Sequence, residues 1–256
     1  MMYALISPAK TMDFAKAQSM IERAGLELDA PLFAKETAEI LKTLKTYNVP
    51  DLGKLLSVSD KLAQLNATRM AEFKQAPQAA SVLAYRGDTY VGFNADQLNN
   101  AQLQHAHKMV GILSGFYGLV RPLDAIKPYR LEMSTNLSIG KYKNLYDFWG
   151  SKITAAINAQ LNAIKAHAVV CLASAEYAKA VDVAKLNVPF IMCDFKEHKN
   201  GKLQTVGLLA KRARGSMANY MVVAKPKTPN DLKLFNIGGY VFDQALSNDK
   251  HFVFVR

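Results

Sequence analysis

The chain has 256 residues, 50% of them hydrophobic, with 32 Lys and Arg against 21 Asp and Glu and a formal net charge of +11. Length and apolar content exclude a disordered chain and suffice for a buried core in one large or two small domains. The charge favours polyanions such as nucleic acid, or phosphorylated ligands, although a basic balance also serves solubility.

The N-terminal stretch Met1-Met2-Tyr3-Ala4-Leu5-Ile6 has no basic leader and is not a signal peptide, and no segment approaches the roughly 18 to 20 apolar residues of a membrane helix. Cys171 and Cys193 lie in apolar, strand-like runs without CxxC spacing and read as reduced, buried thiols. The expectation is a cytoplasmic protein that does not engage membranes.

Tyr3 to Ile6 predicts a buried first strand, broken by Ser7-Pro8 and followed by Lys10, Thr11 and Asp13. Pro31 to Tyr47 carries helical spacing through Leu32, Ala38, Leu41 and Leu44. Asp51 to Phe73 reads as two short helices meeting near Ser57 to Asp60, and Val82 to Phe93 as a weak hairpin turning at Gly87-Asp88. A helix is expected from about Gln102 to Phe116. It leads into a loop in which Arg121 and Lys127 each precede a proline, a position pushed out of the α region. With Gly115, Gly118 and the planar fork of Arg130, and with Asp124 and Glu132 placed to orient these donors, the loop reads as a built anion site.

Leu145 to Ile164 predicts one helix burying Trp149, Ile153, Ile157 and Leu161. Val169 to Ala173 predicts a parallel-sheet strand ending in Ser174-Ala175-Glu176-Tyr177. Val188 to Phe195 and Leu203 to Leu209 are expected strands around the turn Lys199-Asn200-Gly201, and Gly239 to Phe242 with His251 to Val255 form a C-terminal pair. Between the last two groups, Lys211, Arg212 and Arg214 fall at or just before the N-terminus of a helix striped by Ala213, Met217, Tyr220, Met221 and Ala224. Cations there oppose the helix dipole unless an anion sits between them, the alternative being a solvated charge run. Interspersed strands and helices with hairpin-like turns predict a single α/β domain over residues 1–256, a mixed sheet surrounded by helices.

Ligands of open α/β sheets gather beyond the carboxyl ends of strands. Ser7 and Lys10 after the first strand, with Ser174, Glu176 and Tyr177 after the later one, are thus expected to share one cleft; ordinary turn chemistry is the alternative for the hydroxyls. Ser59 to Met70, with Lys61 and Arg69, weakly resembles the hairpin of a helix-hairpin-helix with Gln64 and Asn66 where glycines would stand, against a plain amphipathic helix. The histidines form no metal-ligand pattern, no P-loop or GxGxxG occurs, and no cofactor is implied.

Ile6-Ser7-Pro8-Ala9-Lys10-Thr11-Met12-Asp13, Leu113-Ser114-Gly115 through Arg121-Pro122-Leu123-Asp124, and Pro128-Tyr129-Arg130-Leu131-Glu132-Met133 closely resemble the YaaA family of peroxide-stress proteins. Leu145-Tyr146-Asp147-Phe148-Trp149-Gly150, Leu172-Ala173-Ser174-Ala175-Glu176-Tyr177, Ala210-Lys211-Arg212-Ala213-Arg214-Gly215 and Gly239-Tyr240-Val241-Phe242-Asp243 extend the resemblance over nearly the whole chain. Ala175 stands where a member of that family carries an Asp.

The resemblance implies a compact family-specific α/β fold and a cytoplasmic bacterial protein that protects against hydrogen peroxide and limits iron-dependent DNA oxidation. It also implies binding of double-stranded or distorted DNA in a cationic cleft near a helix-hairpin-helix element at residues 51–73. In the leading reading Lys10, Arg121, Lys127, Arg130, Lys211, Arg212 and Arg214 line that cleft, Lys61 and Arg69 contribute from the hairpin, a monomer is favoured, and the resemblance leaves open whether any reaction is catalysed. The rival is an enzyme for a small phosphorylated or nucleotide-like ligand, with Lys10 and Arg130 on phosphate and Glu176 or Asp13 as acid or base. Direct iron sequestration is the weakest reading.

Overall fold

The computed structural model describes residues 1–256. In chain order its first half comprises β1 (Met2–Ile6), β2 (Thr11–Met12), α1 (Phe14–Ala24), α2 (Ala34–Leu44), α3 (Val49–Leu56), α4 (Asp60–Ala71), β3 (Ala79–Ala80), α5 (Ser81–Ala84), β4 (Tyr85–Arg86), α6 (Asp88–Phe93), α7 (Asn100–Met109), β5 (Val110–Ser114), β6 (Gly118–Val120) and β7 (Ala125–Ile126). The second half comprises α8 (Leu145–Trp149), α9 (Lys152–Ala163), β8 (Ala168–Leu172), α10 (Ala175–Ala178), β9 (Phe190–Lys199), β10 (Lys202–Gln204), α11 (Gly207–Ala224), β11 (Val241–Phe242) and β12 (His251–Val255).

The central sheet runs β11-β12-β9-β8-β1-β5-β6, with β10 paired to β9. Neighbours from β12 through β5 are parallel, while β6, β10 and β11 pair antiparallel, so the expected α/β domain with a mixed sheet is the observed one. β1 and β8 are buried along their whole length, as continuous apolar runs covered on both faces must be. From β1 the chain adds β5 on one side, then returns to place β8 on the other, with Leu5 opposite both Gly111 and Cys171. The winding therefore reverses between β1 and β8, and the carboxyl ends of these two strands open a crevice.

Several predicted elements differ from the structure for identifiable reasons. The helix expected to reach Phe116 stops at Met109, and Val110–Ser114 is a buried strand instead. Its apolar residues gain a partner on β1, and Gly111 fits where a Cβ would meet the Tyr3 hydroxyl at 2.5 Å. The helix predicted over Leu145 to Ile164 is broken at Gly150, whose φ of 44° and ψ of −124° few other residues adopt. Gly87-Asp88 makes no hairpin: Gly87 is the N-cap of α6, and the preceding residues divide between α5 and β4. The strand expected over Leu203 to Leu209 ends at Gln204, and α11 begins at Gly207, so Lys211, Arg212 and Arg214 lie inside its first two turns rather than ahead of it.

Residues 49–71 do form two helices, joined at Ser57 in a left-handed conformation and packed closely where Gly53 faces Ala63. The glycine-like hairpin is not found: Gln64 and Asn66 are both within α4, and Asn66 is buried with its Nδ2 donating to the Leu62 carbonyl at 2.7 Å. The plain helix prevails because Leu62–Met70 satisfies its own backbone donors. No helix is long and apolar enough to cross a membrane.

Candidate functional site

Beyond the carboxyl ends of β1 and β8 lies a cleft of about 400 Å³. Its floor is tied across the reversal point: the Ser174 N–H donates to Ser7 Oγ at 2.9 Å, the two hydroxyl oxygens are 3.4 Å apart, and Tyr90 donates its hydroxyl to the Ser7 carbonyl at 3.1 Å. Ser7, Lys10, Thr11, Arg130, Glu132, Ser174, Glu176, Tyr177, Lys211 and Arg214 all face this one cavity. Residues from four distant segments thus meet, as the strand-end expectation required.

The cations divide into paired and under-partnered groups. Lys10 Nζ is 2.9 Å from Glu132 Oε1, with 60% of its side chain exposed. Arg130 reaches the same carboxylate at 3.5 Å through Nη2, but its buried Nε has no partner. Arg214 extends Nη2 to within 3.9 Å of Asp194, too long for a hydrogen bond, and its buried Nε is also unpartnered. Asp194 is the hydrogen-bond partner of His251 at 2.9 Å. Arg69, at the end of α4, shares a small crevice with Arg130. Burial first, and the Arg130 charge second, pull the Arg69 guanidinium below its usual pKa. Unmet donors and crowded like charges are both relieved by a bound anion.

A backbone contact aims α11 at the cleft. A Cβ on Gly215 would lie 1.8 Å from the Thr89 carbonyl oxygen, and one on Gly92 would lie 2.0 Å from that of Arg212. Two glycines therefore let α6 and α11 touch main chain to main chain, which brings Lys211 and Arg214 over the cavity lined by Gly87 to Tyr90. Arg212 points to the rim, where Asp88 lies 3.4 Å away.

Tyr129 supplies part of the wall from a buried hydroxyl chain, 2.6 Å from Tyr85 and 2.8 Å from Ser114. Ser114 Oγ also accepts the N–H groups of Phe116 and Tyr117 and so fixes the turn after β5. Burial pushes the Tyr129 phenol up to about 12, and burial likewise raises Tyr177, so both rings are neutral at physiological pH. Glu176 Oε1 accepts from both the N–H and the hydroxyl of Ser134, at 3.0 and 2.9 Å.

Other predicted residues lie elsewhere. Arg121, Asp124, Asp29 and His107 form an internal cluster. The Arg121 guanidinium gives Asp124 Oδ1 two bonds, at 3.0 and 2.7 Å, the Arg121 N–H donates to Asp124 Oδ2 at 2.7 Å, and Asp29 closes the set at 3.1 Å. Burial raises the Asp124 carboxyl while the Arg121 bonds hold it down.

Asp29, His107 and Asp124 are close enough together to hold a metal ion, but Arg121 already supplies the positive charge. His107 Nδ1 accepts the Leu123 N–H at 2.9 Å, so the Nε2 hydrogen faces Asp29. Burial, with the Arg121 charge, lowers this imidazole.

Lys127 is also internally bonded, its Nζ donating to the Phe73 and Lys74 carbonyls at 2.8 and 2.7 Å. Lys61 stands exposed on the first turn of α4. Asp13 caps α1 by accepting the Lys16 N–H at 3.0 Å. Nothing local in the sequence signals the roles of Tyr90 and Asp194, the buried hydroxyl chain that Tyr129 joins from within its motif, or the pairing of Gly92 with the α11 segment.

The family described as peroxide stress protein YaaA matches residues 2–246. A UPF0246 protein of Idiomarina loihiensis is 40% identical over 259 residues, covering 100% of this chain and 98% of that protein. UPF0246 proteins of Bordetella petrii and Acaryochloris marina are 42% and 41% identical, each over 259 residues and 100% of this chain, with 99% and 100% of their own lengths covered. With several of its motifs meeting at one cleft and its whole length matched, this chain belongs to the YaaA family of peroxide stress proteins.

Proposed function

We propose that the chain acts in peroxide stress by binding DNA through this cleft, with Lys10, Arg130, Lys211 and Arg214 contacting phosphates and Arg69 and Arg212 adding charge behind and beside them. The observation that carries this reading is the pair of arginines, Arg130 and Arg214, each with a buried Nε that no protein acceptor meets. Both side chains line the cleft and hold only long contacts to protein carboxylates, so phosphate oxygens can take up their remaining donors, which Arg presents in parallel pairs. Such contacts position a strand without reading its bases, so affinity depends more on salt than on sequence. Shielding the strand, and so limiting iron-dependent oxidation at the contacted sites, is the protective step in this reading. Arg121, Lys127 and Lys61 are outside the proposed contact set.

Fluorescence anisotropy of a labelled duplex tests it. Arg214→Ala should weaken binding about tenfold at 0.1 M salt, from the loss of a charged hydrogen bond; unchanged affinity would remove Arg214 from the contact set.

A second reading, an enzyme for a small phosphorylated substrate, is favoured by the carboxylates of Glu132 and Glu176 on the same wall as the cations. An acid and a base beside a phosphate site suit chemistry on a bound molecule. Stabilisation by one small phosphorylated compound, with no response to oligonucleotides, would favour it, and turnover of that compound would establish it.

A further inference from the structure

Cleft size points to a small ligand. The cleft holds about 400 Å³, within the usual range of small-molecule sites.

The lining divides along the same line. A phosphodiester backbone offers hydrogen-bond acceptors only, so carboxylates on the wall repel it. Bases and sugars also offer amino and hydroxyl donors. Glu176 is built to receive them: both Ser134 bonds fall on Oε1, which leaves Oε2 for a donor from outside. The tyrosines add apolar wall. The Tyr90 hydroxyl is bonded to Ser7 and that of Tyr129 to Tyr85 and Ser114, and Tyr129 is stacked on Phe116, so what these buried residues present to a ligand is a narrow strip of ring carbon. Base–aromatic contact is sequence-tolerant because every base has a π face. The under-partnered guanidinium groups of Arg130 and Arg214, with Lys211, supply the anion side.

We infer that the cleft receives a single nucleotide unit, with its phosphate on Arg130, Arg214 and Lys211, its base against Tyr90 and Tyr129, and an amino or hydroxyl donor on Glu176. This rests on the phosphate-binding reading above and narrows it to one ligand class. The unit arrives either as a free nucleoside monophosphate or as a residue extruded from a strand, extrusion being least costly where a nucleotide is unpaired or mismatched.

Two arms separate the sources. In the first, the full chain is heated with each of the four deoxynucleoside 5′-monophosphates, with the matching nucleosides, with inorganic phosphate and with ribose 5-phosphate. At least one monophosphate should raise Tm by about 5 to 10 °C at a hundredfold excess over Kd, well beyond nucleoside, phosphate or phosphosugar. An equal rise with phosphate or ribose 5-phosphate would overturn the inference, because the cleft would then ignore the base.

In the second arm, a fully paired duplex is compared with the same duplex carrying one unpaired nucleotide. About tenfold tighter binding of the latter, competed away by the stabilising monophosphate, assigns the extruded unit. A monophosphate effect without that preference assigns the free nucleotide and equally supports the inference. Absence of both the monophosphate effect and the preference overturns it, even if paired duplex binds. Failure of every oligonucleotide to bind while a monophosphate stabilises instead sinks the DNA reading alone. Glu176→Gln, which keeps size and one acceptor but loses the charge that repels an anion, should reduce the monophosphate effect without weakening phosphate binding.

Discussion

Two cationic clusters of this molecule look alike in sequence and differ in what they have left to bind. Around Arg121 the main-chain N–H, Nε and Nη2 all meet acceptors of the protein: Asp124 takes three bonds, Asp29 a further contact of Nη2, and His107 is held between Leu123 and Asp29. Around Arg130 and Arg214 the acids are farther away, and two guanidinium nitrogens are buried without a partner. A cation beside an acid in sequence therefore says nothing of function until donors and acceptors are counted. A closed count marks a structural joint, and an open one marks a place for a ligand only where the group also lines a cleft, as Arg130 and Arg214 do.

Breaking the geometry that holds the open cluster gives the largest expected effect. Gly215→Ala forces a methyl group against the Thr89 carbonyl at 1.8 Å, and the backbones of α6 and α11 must separate. We expect a loss of about 4 kcal/mol, at the high end for overpacking, measured by urea unfolding. Wild-type stability would contradict the main-chain contact.

Next comes the closed cluster. Asp124 is fully buried, and Asp124→Asn leaves Arg121 without its main carboxylate. A cost of about 3 kcal/mol is expected, at the low end for a broken buried pair because Arg121 keeps Asp29 and some solvent. Ligand affinity of the surviving folded protein should not change. Arg214→Ala should do the reverse, with binding weakened and stability shifted by less than about 1 kcal/mol.

A smaller effect separates the clusters by pH. The His107 imidazole titrates lower in the folded chain than unfolded, chiefly through burial and then Arg121. As pH falls through the unfolded value near 6.5, the unfolded chain takes up a proton that the folded chain refuses. Stability is then lost on the acid side and retained above it. His107→Gln should flatten the decline in stability between pH 7.5 and 5.5, and an identical decline would assign it to other groups. Smallest of all, Lys10→Ala should leave stability within about 1 kcal/mol, since Lys10 and Glu132 form a largely solvated pair.

Much of the fold was legible where composition alone decides. β1 and β8 are apolar runs that only a covered strand accommodates, and the polar residues after them mark the cleft because strand ends must open somewhere. Tertiary context decided the rest. Val110 to Ser114 continues a helical stripe in sequence, yet pairs as β5 because β1 offers an unpaired edge. Arg121 and Lys127 were legible as residues in a shaped loop, but their partners Asp29, Phe73 and Lys74 are remote in sequence. The proximity of Gly92 to Gly215, which aims Lys211 and Arg214, left no local sign of pairing. Around the cleft, sequence identified the chemistry of the side chains, and folding determined which of them kept unmet donors.

The central claim, that the open cluster rather than the whole basic surface meets phosphate, is tested most directly by the slope of log K against log salt for one duplex. Lys211→Ala combined with Arg214→Ala should reduce that slope by about 1.8, or about 0.9 for each lost phosphate contact, while Lys61→Ala should leave it unchanged. Equal reductions from both variants, or none from either, would contradict the account.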